Sequence, residues 1–218
     1  MSKIIVTGGA GFIGSAVISH LNKSNHQIFV IDNLAFGNRE FAEVDNDHFF
    51  KDDILDSKRM NEIFSDVKPD AVVHLAAIHF IPYCNQHPFE SANINIQGTM
   101  NVLEASKASG VKQFFFASTA AVYPIYSGAL NESIPTGPLD IYGLSKLACE
   151  KICHEFFLET NINTIVCRFF NAFGPNETNP HLIPEIQNQV NNGLRKIKLG
   201  NLTPKRDFIH TFDMATAV

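Results

Sequence analysis

Apolar residues gather into short continuous runs at positions 4–6, 28–31, 71–75, 114–117 and 164–167, most of them β-branched or aromatic. A continuous run, unlike an alternating one, predicts a strand covered on both faces, as in a parallel sheet. Between these runs, residues 13–21, 60–64, 99–108 and 145–157 carry apolar side chains at helical spacing. Strand and helix therefore alternate, which predicts an α/β fold with a doubly wound parallel sheet. No internal repeat, low-complexity tract or flexible linker interrupts the pattern. Beyond residue 170 the texture changes, as Gly174-Pro175, Asn179-Pro180, Pro184 and Pro204 break the chain into short elements. Residues 1–170 are accordingly expected to form the sheet domain and 171–218 the beginning of a smaller lobe. Residues 211–218 read as a helix that stops almost at once, so the C-terminus is expected to be truncated.

Composition narrows this picture without changing it. With 218 residues, 45% of them hydrophobic and 18% charged, the chain can bury a sizeable core. The net charge of -5 leaves no basic surplus to neutralise a polymer of phosphates, which argues against extended nucleic-acid binding. No apolar run approaches the ~20 residues that a membrane span needs. Cys84, Cys149, Cys153 and Cys167 form no Cys-x-x-Cys pair and no apolar leader opens the sequence, so a reduced, cytoplasmic setting is expected. The sequons at Asn131, Asn176 and Asn201 are then chance matches.

The first chemistry-bearing segment is Thr7-Gly8-Gly9-Ala10-Gly11-Phe12-Ile13-Gly14, directly after an apolar run and opening a helical one. Glycines there let the backbone turn sharply and approach a pyrophosphate, whose charge sits on the free N–H groups of the helix N-terminus, where Phe12 and Ile13 stand. Asp32 ends the second apolar run, eighteen residues beyond Gly14. A carboxylate in that position accepts both ribose hydroxyls of adenosine and repels a 2′-phosphate. The neighbours Asn33, Leu34, Ala35 and Phe36 offer no Arg, so the expected cofactor is NAD rather than NADP. The competing reading of Asp32 is a turn or helix cap.

Gly-x-x-Gly-x-x-Gly spacing together with Tyr142-x-x-x-Lys146 resembles the extended short-chain dehydrogenase/reductases, and among them the UDP-glucose 4-epimerases. The likeness runs along nearly the whole chain through Asp32-Asn33-Leu34, Asp53-Ile54, His74-Leu75-Ala76-Ala77, Asn95 to Thr99, Ser118 to Tyr123, Arg168-Phe169-Phe170-Asn171 and Arg206 to His210. It implies a Rossmann-type sheet binding NAD, with Asp53 and Ile54 at the adenine and Leu75, Ala76, Ala77 and Asn95 along the path to the nicotinamide. His74 reads instead as a hydrogen-bonded structural residue, and no metal is expected. Asn171, His181, Leu182 and Arg206 match positions that hold the diphosphate of a UDP-sugar or other NDP-sugar, a role that suits the bidentate guanidinium of Arg206. The alternative for Arg206 is a surface ion pair with Asp207. The resemblance further implies a homodimer joined through helices at about 89–109 and 142–160.

Tyr142 and Lys146 lie four apart at the start of a helical stretch, so both side chains project from one face. A free tyrosine has a pKa of ~10, and bringing it near 7 takes about 4 kcal/mol of preference for the phenolate. Lys146 and the positive nicotinamide ring have the right sign for that shift, which would let Tyr142 take the proton of a sugar hydroxyl. Thr119 matches the Ser/Thr position of the family and would bond the reacting oxygen, with Ser118 as the neighbouring candidate; either could instead merely cap a strand end.

Two departures bear on the reaction. Ala120 and Ala121 follow Thr119 where 4,6-dehydratases carry an acidic pair, which favours epimerisation through a transient 4-keto sugar. Against this, the stretch His79-Phe80-Ile81-Pro82-Tyr83-Cys84 is unlike that of ordinary galactose epimerases, and Pro124 stands where Gly is usual. Tyr83 or Cys84 facing the sugar could supply the acid or base of a dehydratase, or simply pack the pocket wall. A non-catalytic NAD-binding regulator is the alternative of another class.

Overall fold

The computed structural model describes residues 1–218. Six parallel strands form one sheet: β1 (Ser2–Thr7), β2 (His26–Ile31), β3 (Phe49–Phe50), β4 (Ala71–His74), β5 (Gln113–Thr119) and β6 (Asn163–Phe169), in the order β3-β2-β1-β4-β5-β6. The order reverses at β1, so the crevice between the ends of β1 and β4 is a topological switch point, where ligands of open α/β sheets bind. Each apolar run of the sequence lies on one of these strands, except that Leu75 falls just beyond the end of β4. The two-residue β3 is too short to leave a run of its own.

Helices cover both faces. α1 (Phe12–Leu21) packs on one face, where Val17 and Ile18 join Ile4, Val6, Ile28 and Val30. On the other face lie α2 (Ser57–Val67), α5 (Gly98–Ser109) and α6 (Ile141–Thr160), whose Met60, Phe64, Val102, Leu103 and Phe156 meet Ile5, Ile31, Phe114 and Phe116. Two short helices, α3 (Ile81–Gln86) and α4 (Pro88–Ala92), begin at or next to prolines, the position in a helix where a missing N–H costs least. A π-helical turn, Asn93–Gln97, joins α4 to α5.

Beyond β6 the chain forms a separate two-stranded parallel pair, β7 (Asn171–Phe173) and β8 (Phe208–His210), with α7 (Leu182–Asn191) between them. The last helix, α8 (Thr211–Ala217), returns to the sheet domain: Ala215 belongs to the same cluster as Val17 and Ile18.

His74, at the end of β4, is fully buried and fully bonded. Thr99 donates its hydroxyl to the Asn95 carbonyl at 2.6 Å, so its oxygen accepts from His74 Nε2 at 3.0 Å. Nδ1 of the ring, left as acceptor, receives the Thr7 hydroxyl at 2.7 Å. One neutral imidazole thus ties β1, β4 and α5 together, and burial holds it neutral by pushing its pKa down to about 3.

Candidate active site

A cleft of about 1030 Å³ opens at the C-terminal ends of the strands and extends under the β7/β8 lobe. Gly8, Gly11, Phe12, Ile13 and Gly14 line one end of it. The glycines divide the work. Gly8 has φ +72, and a Cβ there would meet the Ala76 nitrogen at 2.7 Å, while one at Gly14 would run into the Gly8 carbonyl oxygen. Both are needed to close the loop on itself and on β4. A Cβ at Gly11 would meet only Gly8 O, at 3.2 Å. Gly11 is also the N-cap of α1 and brings no side chain to cap it, so the first-turn N–H groups are left for something in the cleft.

Asp32 is held as a turn cap, the competing reading from sequence, at the edge of the cleft. Its Oδ2 accepts from Ala10 N at 3.0 Å and its Oδ1 from Leu34 N at 2.9 Å, anchoring the glycine loop to the end of β2. The carboxylate also lines the cleft, with lone pairs to spare. Burial raises its pKa, and the two backbone bonds oppose that rise. Asn33 donates to Asp53 Oδ2 at 2.9 Å, and Asp53 and Ile54 line the cleft beside them. Arg39, the nearest arginine in sequence, is turned away onto the carbonyls of Ala42 and Val44.

Leu75, Ala76 and Ala77 form the adjoining wall. Asn95, expected with them, does not reach the cleft. It is 1% exposed, and its amide grips Ile78 N at 2.8 Å, Ile78 O at 3.0 Å and Ser145 Oγ at 3.0 Å. Ser145 in turn donates to the Tyr142 carbonyl at 2.8 Å. Asn95 therefore ties the wall to the first turn of α6.

That turn carries Tyr142 and is capped by Asp140, whose Oδ1 accepts from Gly143 N at 2.8 Å. Tyr142, Lys146, Ser118 and Thr119 all line the cleft. The Thr119 Oγ1 accepts from Ala121 N at 3.1 Å, capping the turn after β5, and its hydroxyl favours the Tyr142 phenolate. Lys146 is 3% exposed, donates from Nζ to the Ala117 carbonyl at 2.8 Å and sits 4.7 Å from the centre of the Phe116 ring. Burial pushes its ammonium down to about 8. The Tyr142 pKa is expected from sequence to be lowered by Lys146 and a positive nicotinamide ring together; the protein's own walls act the other way. Burial pushes the phenol up to about 12, which the Thr119 hydroxyl only partly offsets. The reason is physical: the cleft wall desolvates the phenolate.

Ser118 is the weaker hydroxyl candidate, because its O–H is given to the Glu150 carboxylate. At the far end, Asn171, His181, Leu182 and Arg206 line the cleft, with His181 and Leu182 at the N-terminus of α7. Arg206 forms no ion pair with Asp207 or any other residue. Tyr83 lines the cleft but points its hydroxyl at Glu90, 3.1 Å away, and packs between Phe36 and His87. Cys84 does not face the cleft. It is fully buried, with its thiol directed at the Ile78 carbonyl, and burial pushes that thiol up.

Sequence reasoning missed several groups. His79 lines the cleft and meets Asn179 Nδ2 at 3.1 Å, Glu177 pairs with His181, and Glu150 pairs with Arg168. Glu177 and His181 stand four apart in the chain, but only tertiary proximity joins the others, so no spacing announces them.

Residues 4–218 match the NAD dependent epimerase/dehydratase family. The chain is 32% identical to a UDP-glucose 4-epimerase of Lacticaseibacillus casei, over 98% of this chain and 70% of that one. In structure it resembles the Thermotoga maritima UDP-glucose 4-epimerase solved with UDP-glucose, with a TM-score of 0.90 at 30% identity, covering 99% of this chain and 71% of that one. A dTDP-glucose 4,6-dehydratase from Streptomyces venezuelae, solved with NAD, gives a TM-score of 0.89 at 28% identity and coverages of 98% and 70%. With the glycine loop, the acidic end of β2 and the Thr-Tyr-Lys cluster on one cleft, the chain belongs to the NAD-dependent epimerase/dehydratase family of sugar-nucleotide enzymes.

Proposed function

We propose that this cleft epimerises a UDP-sugar at its C4 carbon, with Tyr142 as the proton acceptor and donor. The observation that carries the reading is the convergence of Thr119, Tyr142 and Lys146 on the wall between a dinucleotide-type loop and a free arginine. NAD fits the loop end: uncapped N–H groups open α1, Asp32 stands ready for ribose hydroxyls, and Arg39 faces away from where a 2′-phosphate would need it. Gly8 through Gly14, Asp32, Asn33, Asp53, Ile54 and Leu75 to Ala77 would hold the cofactor. When bound it supplies a two-electron acceptor and a positive ring beside the phenol.

The protein's own groups then handle the proton. Thr119 orients the reacting sugar oxygen, Tyr142 takes its proton, and Lys146 keeps a positive charge near the phenolate that results. The same proton returns after the 4-keto sugar has turned over in the cleft. Arg206, Asn171, His181 and the N-terminus of α7 hold the diphosphate, which keeps the sugar nucleotide anchored while its sugar moves.

Dehydration would need a further acid and base. Cys84 is buried away from the cleft and Ala120 and Ala121 carry none, which leaves the Tyr83–Glu90 pair on the cleft wall as the group a dehydratase would have to use. Incubating the protein and NAD with UDP-glucose and with UDP-N-acetylglucosamine, and reading products by NMR, tests the assignment. The C4 epimer is expected; a dehydrated sugar without epimer would overturn it.

The chain further presents exposed apolar residues on the two helical stretches expected to pair. Phe89, 90% exposed, and Met100 lie on one, with Leu144, Phe157 and Leu158 on the other. They support a homodimer. No helix is long and apolar enough to cross a membrane, and the four free thiols suit a reducing, cytoplasmic setting.

A further inference from the structure

Two successive residues near the end of β5, Ala117 and Ser118, are each held by a different residue of α6. Lys146 donates to the Ala117 carbonyl, and Ser118 donates its hydroxyl to Glu150, one turn beyond Lys146, while Thr119, next along, lines the cleft with Tyr142. Glu150 is 8% exposed. Its carboxylate also accepts a two-pronged bond from Arg168, Nε to Oε1 at 2.9 Å and Nη2 to Oε2 at 2.7 Å. Arg168 stands on β6 directly opposite Ser118 in the sheet register. Its Nη1 continues to the Tyr123 hydroxyl at 2.8 Å, and its guanidinium lies 4.8 Å from the centre of that ring. One ion pair therefore joins α6, the end of β5, the turn after it and β6. Neither Glu150 nor Arg168 lines the cleft.

We propose that Glu150 and Arg168 are positioning residues, fixing the height of α6 against β5 so that Thr119, Tyr142 and Lys146 meet at the reacting oxygen. Stability alone is a poor reason for such a pair, because well-packed apolar residues of similar volume commonly do as well or better at a buried site. Direction is what the pair adds. A guanidinium fork on a carboxylate fixes distance and angle together, whereas apolar contacts tolerate sliding. A shift of ~1 Å at a reacting centre costs on the order of 10²-fold in rate. The proposal rests on the reading of Tyr142 and Thr119 as the reacting pair.

The test compares the parent with Glu150→Leu/Arg168→Met, which keeps volume and leaves no unpaired buried charge, and with Glu150→Gln. Protein labelled with 13C at tyrosine Cζ reports the state of Tyr142, assigned with Tyr142→Phe and calibrated with Thr119→Ala as the reference for a phenol without the Thr119 hydroxyl on its wall of the cleft. Both pair variants are expected to fold and to move the Tyr142 resonance towards the Thr119→Ala position. Turnover of the sugar nucleotide is expected to fall roughly ten- to a hundredfold in kcat, with KM within about threefold of the parent. A folded double variant that keeps either the parent resonance or the parent kcat overturns the proposal. Loss of fold in both variants overturns it as well, since the pair would then be a folding element. If the parent itself turns over no sugar nucleotide, the functional reading fails, while the Tyr142 resonance still decides the positioning.

Discussion

Tyr142 and Lys146 show at single residues what the cleft does before any ligand enters. Both charged forms are disfavoured by burial, the phenolate up to about 12 and the ammonium down to about 8. A positive charge arriving beside the phenol would favour the phenolate, and would press the Lys146 ammonium further down. Asp32 carries a different tension, since both oxygens accept backbone bonds while facing the cleft. In Asp32→Asn the amide nitrogen would face one of two N–H donors, at a cost of about 1–3 kcal/mol. Thermal melts with and without NAD should show a lower Tm and a smaller NAD-induced rise; an unchanged melt in both would remove Asp32 from the account. Cys84→Ser is the contrasting case. Because Cys84 is buried against Ile78 O, the substitution should leave KM and the product unaltered, and a changed product would return Cys84 to the sugar site.

Elements explain why much of this was legible in the chain. Strands buried on both faces leave continuous apolar runs, and β1, β2, β4, β5 and β6 each announce themselves that way, as does the glycine loop at the switch point. What sequence spacing does not carry is contact between distant elements. Asn95 was placed on the cofactor path, yet its amide is enclosed by Ile78 and Ser145. Glu150 and Arg168, eighteen residues apart, meet only because α6 lies over β5 and β6. The glycines can now be separated by test. Gly14→Ala would press its Cβ on the Gly8 carbonyl and the Gly9 Cα, so it should lower Tm through overpacking of about 1–3 kcal/mol. Gly11→Ala should keep the fold and weaken NAD binding, and equal melting losses in both would contradict this division.

His74 links three elements through one neutral ring, which gives a pH signature. Its pKa is about 3 in the folded protein and ~6.5 when unfolded. The unfolded chain thus binds the proton first, and stability falls as pH drops from about 6.5 towards 3. His74→Gln removes hydrogen bonds and also this acid sensitivity, so the stability advantage of the parent should narrow as pH falls across that window in urea titrations. A constant advantage would mean that His74 charges as readily inside the protein as outside.

At the scale of the whole molecule, the sheet domain supplies the loop, Asp32 and the Thr-Tyr-Lys cluster, while the β7/β8 lobe supplies Asn171, His181 and Arg206 across the cleft. The exposed apolar faces of the two helical stretches predict self-association. Sedimentation should give a dimer for the parent and a monomer for Phe157→Glu/Leu158→Glu, and a monomeric parent at micromolar concentration would contradict the assembly. The central claim is that Tyr142 moves the proton of the sugar hydroxyl in an NAD-dependent site. Its most direct test is Tyr142→Phe, followed by NMR of epimer formation and by the NAD-induced rise in Tm. The account predicts turnover lower by about 10²–10⁴-fold with the NAD-induced stabilisation retained. Turnover equal to that of the parent would contradict it.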